Sequence, residues 1–215
     1  MRAWAQRTRR GAGGPYNVGM PSAERPQWVV REDAGPSVLA ALYLRQMLGI
    51  RSPDELPGLP GVPTDAPQAD AVLERQWRAL WAMTVEPLAH PSEVPLELVA
   101  GMDTLLALPA DGADELRAAI VPHAGAALAF ARSASAVHTD RVRGSSYRAY
   151  ASAIAVHERE VGRRAHSFEL NVQVLPLAQR GLWWIGSLTI AVTDGLRGDV
   201  VAFDAAIHPI IAELA

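Results

Sequence analysis

The sequence predicts an α+β fold, mainly helical, with a small antiparallel sheet packed against helices. Three observations carry this. Apolar residues recur at helical spacing in several separate stretches, whereas Phe168 to Val174 alternates strictly with polar residues, and a second apolar run, Leu182 to Thr193, follows a short turn. A lone hairpin does not stay folded in water, so helices must cover its apolar face.

The elements follow in chain order. Gln27 to Arg31 reads as a short strand between Pro26 and Asp33-Ala34-Gly35, free to join the C-terminal hairpin as a third strand. Pro36 and Ser37 open a helix carrying Val38, Leu39, Leu42, Tyr43 and Met47 on its apolar side, and Gly49 stops it. Pro53, Pro57, Pro60, Pro63 and Pro67 make 51–67 a connection that no helix or central strand can occupy, either an ordered strap or a stiff linker. Leu73, Trp77, Leu80, Trp81 and Thr84 form the stripe of the next helix, which ends at Glu86-Pro87, with the tryptophans as core anchors.

Ser92 is expected to cap a helix through Leu108, and Asp111 or Asp114 a further one. Pro122 interrupts that run, which resumes from Ala124 to Val137. Ser145 or Ser146 begins an amphipathic helix to about Arg163. Phe168 to Val174 and Leu182 to Thr193 then pair as an antiparallel hairpin across a turn at Pro176 to Gly181, and Asp199 caps a closing helix, Val200 to Leu214.

Composition excludes several chemistries. All 20 basic residues are arginine and there is no cysteine. Schiff-base enzymes, lysine-dependent phosphate loops, thiolate metal sites and disulfides are therefore ruled out. Lysine-free, alanine-rich usage reads as a bacterial genome of high GC content. No stretch reaches the roughly 20 apolar residues of a membrane helix, so a soluble, cytoplasmic protein without a cofactor is expected.

Residues 1–20 hold four arginines and no acids, whereas 21–215 hold 16 arginines against 23 acids, a net of −7. The start reads as a disordered basic tail, an upstream extension if the chain begins at Met20, with a nucleic-acid or targeting role as the alternative. Residues 21–215 read as one globular domain. Its acidity opposes nucleic-acid binding.

Three constellations could carry function. Arg141, Arg143, Gly144, Ser145, Ser146 and Arg148 run into a helix start, where unpaired N–H groups and guanidinium forks suit a phosphate or carboxylate; a capped helix with a solvated basic end is the plainer alternative. His157 and Glu160 share a helix face at a spacing that can serve two metal ligands, but Val161 breaks the H-E-x-x-H pattern and no metal is expected; with His138 they are the acid–base candidates. His157 also falls on the apolar stripe with Tyr150, Ile154 and Val161, where a hydrogen-bonded histidine at the edge of the core is the plainer alternative. Trp183 and Ile185 fall on the strand face opposite Leu182, Trp184, Ile190 and Val192, so either helices cover both faces or this pair is an apolar contact surface.

No motif names a reaction. The sequence therefore favours a non-catalytic accessory or interaction protein, a homodimer or one with a protein partner. The alternative is a small enzyme or sensor that binds a phosphorylated or carboxylated small molecule at the Gly144–Arg148 helix start.

Overall fold

The structure, a computed structural model, describes residues 27–63, 66–142 and 148–215. The fold is α+β. Four strands make the main sheet, in the order β1 (Trp28–Asp33), β4 (Phe168–Leu175), β6 (Thr189–Thr193), β5 (Leu182–Trp184). β1 and β6 both run parallel to β4, and only β5 is antiparallel to its neighbour β6.

The sheet is thus mixed, which corrects the expected pairing. The run Leu182 to Thr193 is two strands that fold back on each other, with Leu182 opposite Val192 and Trp184 opposite Ile190. Gly186 and Ser187 make the turn, and the Ile185 and Gly186 amides both donate to the Thr189 carbonyl, at 2.9 and 3.1 Å. The Phe168 strand instead takes the central place between two parallel neighbours. The N-terminal strand joins the same sheet, with Trp28 level with Phe168.

Helices bury the sheet from both sides. On one face Leu170, Val172, Ile190 and Val192 meet α5 (Arg148–Val161) and α7 (Val200–Leu214), whose Tyr150, Ile154, Phe203 and Ile207 complete a core. On the other, Ala191 and Leu175 belong to a larger core with α1 (Pro36–Met47), α2 (Ala71–Val85), α3 (Asp114–Ile120) and α4 (Ala124–Val142). All five residues of β6 are buried, as expected of a strand covered twice.

Some helix ends carry the signals the sequence implied, Asp199 among them, whereas Asp70 is not one of those signals and α3 begins at Asp114 with Ala113 at its N-cap and no side-chain cap bond. Asp70 caps α2 by accepting from the Val72 and Leu73 amides, both at 2.9 Å, and Asp199 caps α7 through the Ala202 amide at 3.0 Å. Pro122 sits in a 3₁₀ turn, Val121–His123, between α3 and α4. Gly49 follows α1 at φ +66°, and a Cβ there would lie 1.9 Å from the Pro67 carbonyl oxygen, so only glycine fits.

Over residues 51–63 the proline-rich connection is a strap held by hydrogen bonds. Arg45 of α1 donates to the carbonyls of Arg51, Ser52, Pro53 and Leu56, and Gln46 holds Leu59 through its amide at 2.7 Å and the Val62 carbonyl at 2.6 Å. Leu56, Leu59 and Val62 then enter the larger core.

The helix expected from Ser92 to Leu108 does not form. A small hairpin of β2 (Leu96–Leu98) and β3 (Ala107–Pro109) stands there. Pro95 has no amide to give a helix, and Gly101 and Asp103 adopt φ of +81° and +49° between the strands. Ser92 bonds back to Val94 instead, its hydroxyl donating to that carbonyl at 2.7 Å.

Candidate functional site

The parallel strands give the sheet two distinct ends. At the carboxyl end, β1 leads into α1 over the larger core, while β6 leads into α6 (Asp194–Arg197) and α7 over the smaller one. Connections that part to opposite faces open a crevice at strand ends, the usual ligand position in open sheets with parallel strands. Glu32 of β1 turns inward, its side chain only 3% exposed, and Arg197 Nε donates to both carboxylate oxygens at 3.0 and 2.9 Å. Tyr150 of α5 donates its hydroxyl to Glu32 Oε2 at 2.5 Å.

Phe203 closes the cluster beneath. Its ring meets Tyr150 edge-on at 5.6 Å, and the Arg197 guanidinium lies 5.0 Å from its centroid. Three elements are tied through one carboxylate, and α7 joins them through Phe203. Sequence reasoning missed this cluster because Glu32 and its partners lie 118 and 165 residues apart. The one local signal is a charged residue in phase with Trp28 and Val30 on a strand.

The sequence-predicted residues disperse. His157 is buried on α5, 6% exposed, with no hydrogen-bond partner for Nε2. Glu160, one turn on, engages His208 of α7 at 3.3 Å. His138 is buried on α4, in the opposite helical layer. Among the described residues, no group of three histidines or carboxylates could hold a metal.

Arg143, Gly144, Ser145 and Ser146 lie outside the described residues, as does the side chain of Arg141. Arg148 is the first residue of α5, two before Tyr150, so that helix start stands at the carboxyl end of the sheet.

Trp183 and Ile185 are half-buried and pack on the larger core. The exposed apolar residues of this sheet are others. Trp28, Val29, Trp184 and Leu188 are exposed, and Val29 and Leu188 line a groove of about 910 Å³ with Gln27, Ser167, Phe168 and Leu214. The groove opens at the amino end of the parallel strands. Arg31 and Glu169, paired at 2.8 Å, flank its strands.

β1 borders this groove and is an edge strand: among the described residues only β4 pairs with it. The Phe168 amide donates to the Gln27 carbonyl at 3.3 Å, which sets the phase of the parallel ladder. Val29, Arg31 and Asp33 therefore bond inward, and the N–H and C=O groups of Trp28, Val30 and Glu32 point away from the sheet.

Glu86, at the end of α2, braces the β5–β6 turn. It accepts from the Leu188 amide at 2.7 Å and from the Thr189 hydroxyl at 3.3 Å. Burial pushes its carboxyl up, but bonds from the Leu188 and Ser187 amides and the Thr189 and Ser187 hydroxyls outweigh that and hold it below the ordinary glutamate value.

Compared with known proteins, the chain matches no family model, no curated protein and no solved structure. Among the described residues, no helix is long and apolar enough to cross a membrane.

Proposed function

We propose that this chain is a cytoplasmic, non-catalytic interaction protein that works as a homodimer, with β1 pairing to β1 of a second copy. The observation behind this reading is the six-residue edge strand whose outward backbone groups border an apolar groove. Such an edge is a template for another strand. Charge selects the register. Antiparallel pairing centred on Arg31 or Glu32 sets like charges directly opposite, whereas centring on Val30 sets Val29 opposite Arg31 and Trp28 opposite Glu32.

Light scattering with size-exclusion chromatography tests it. The wild type is expected at twice 23.1 kDa. Val30→Pro removes only an outward N–H, so the variant is expected to keep its circular dichroism and run as a monomer. A monomeric wild type at about 100 μM, some 100 times a micromolar dissociation constant, sinks the reading.

One observation favours the alternative, a sensor or enzyme for a phosphorylated or carboxylated small molecule. Arg148 opens α5 at the carboxyl end of the parallel strands, where such folds bind ligands. A thermal-shift screen with phosphate and carboxylates, repeated on Arg143→Ala, separates the two. A shift lost in that variant supports the ligand reading; a flat screen removes it.

A further inference from the structure

The β1 edge is too small to hold two copies together on its own. Its six residues make a strip about 20 Å long and about 10 Å deep, roughly 200 Å² per copy. A stable interface buries about 800 Å² on each partner. A second surface must therefore meet its mate when the edges pair, and symmetry says which one.

Antiparallel pairing of a strand with its own copy sets the two-fold axis perpendicular to the sheet, so the same helical layer lies on the same side in both copies. The ladder uses the outward N–H and C=O groups of Trp28, Val30 and Glu32, and the axis passes between the two Val30 residues. The helix tied to that edge is α5, whose Tyr150 bonds Glu32 of β1. By contrast, α7 follows β6 through α6, and β6 lies two places in from β1. On its face of the sheet, α5 is thus the helix that stands next to the second copy.

The side of α5 turned away from α7 suits close approach. Glu160 marks the side toward α7, where it reaches His208 at 3.3 Å. Ala151 precedes Glu160 by nine residues, about two and a half turns, and so lies on the opposite side of the helix. Ala155 follows one turn on. Both alanines are exposed, while Tyr150, Ala153, Ile154 and His157 turn into the core. Glu158, the charged residue of that side, is folded back and accepts from the Ala165 amide at 3.0 Å. Side chains as small as alanine let two helix axes come within about 8 Å.

The level of the crossing follows from the strand. α5 runs against β1: it starts with Tyr150 beside Glu32 and leads on to Phe168, which is level with Trp28. From Glu32 back to Val30 is about 7 Å of strand, which a helix covers in about 4–5 residues. Ala155 therefore comes level with Val30 and the two-fold axis. Arg159, the long side chain one turn beyond, then stands level with Ala151 of the second copy, where there is room for it.

We propose that α5 packs antiparallel on α5 of the second copy, crossing at Ala155, so that one continuous interface joins this helix contact to the β1 ladder. The inference rests on the β1 pairing proposed above and commits it to one geometry. Two four-stranded sheets become one, with the paired α5 helices over the seam.

The chain has no cysteine, so one introduced residue is the sole thiol. Ala155→Cys, oxidised at about 100 μM and well above a micromolar dissociation constant, is expected to run as a disulfide-linked dimer on a non-reducing gel. Its two copies fall at the Cα separation of about 4.4–6.8 Å that a disulfide spans. Ala151→Cys is also exposed but stands about 6 Å from the axis along the helix, so its copies are at least about 12 Å apart and no cross-link is expected. Ala155→Glu is expected to keep the circular dichroism of the wild type and to weaken self-association at least tenfold in sedimentation equilibrium. A dimer that Val30→Pro disrupts but Ala155→Glu leaves whole overturns this inference and keeps the β1 pairing. Equal cross-linking of the two cysteine variants, or none in Ala155→Cys, also overturns it. A monomeric wild type removes both.

Discussion

The two ends of the parallel strands differ in how they treat polar groups and space. At the carboxyl end a buried glutamate has a guanidinium on both oxygens and a phenol on one of them, and an aromatic ring packs below. At the amino end lies a groove bordered by Val29 and Leu188 and by a strand edge that, among the described residues, pairs only with β4. A saturated cluster resists change and offers a newcomer little. An open edge costs the monomer little and offers backbone bonds to whatever arrives. Stability is therefore concentrated at one end and capacity for contact at the other.

Substitutions can break this comparison, and Glu32→Ala is expected to have the largest effect. It leaves Arg197 charged and 16% exposed without the Glu32 carboxylate, and removes the Glu32 bond of the Tyr150 hydroxyl. Loss of one partner from a buried pair costs about 3–5 kcal/mol, which lowers the thermal midpoint by about 10 °C. A midpoint within two degrees of wild type would show that the cluster is not a clamp. Tyr150→Phe removes one hydrogen bond to a charged group and keeps the ring on Phe203, so about 1.5–3 kcal/mol is expected in urea unfolding. The ordering of these two variants is itself a check.

The legible parts of this fold are those whose information is local. Trp77 and Trp81, with Leu80, announce α2 by spacing alone, and Pro36, Gly49, Pro122 and Asp199 act where they stand. Strand alternation likewise gave β4 its buried face. Pairing was less legible. The apolar run from Leu182 reads through the turn because Trp184, Ile185 and Leu188 leave only Gly186 and Ser187 as punctuation. The Ser92 stretch looked helical because a cap residue precedes leucines, yet Pro95 and two residues at positive φ decide it.

The sites divide in the same way. His157 was readable as a residue of the apolar stripe, and it is buried there. The Glu32 cluster was not readable, because its three polar members come from three distant segments and none forms a motif. The fastening of the strap was hidden for a related reason: prolines signalled a connection, but not that Arg45 and Gln46 would hold it.

The third expected effect concerns pH and lies at the amino end, where Glu86 holds the start of β6. The folded-state pKa of Glu86 is depressed relative to the unfolded chain. Its contribution is therefore present above the ordinary glutamate value of about 4.3 and is lost as pH falls through the lower folded value. Glu86→Gln is expected to flatten the acid limb of the stability curve below about pH 4.3, measured by urea unfolding across pH. An unchanged limb would mean that Glu86 does not brace the β5–β6 turn.

The smallest effect on stability is expected at the open end, and there the comparison is sharpest. Leu188 is 43% exposed and touches the groove, so Leu188→Ser should change unfolding free energy by about 0.5 kcal/mol or less. Its amide still reaches Glu86, since serine keeps the backbone donor. If the groove is part of a dimer contact, the same variant weakens self-association by about tenfold, an effect of about 1.4 kcal/mol on binding alone. Sedimentation equilibrium alongside chemical unfolding measures both quantities on one sample. Equal losses in both would assign Leu188 to the monomer's own packing. A loss confined to association would separate the end that holds the chain together from the end that meets another.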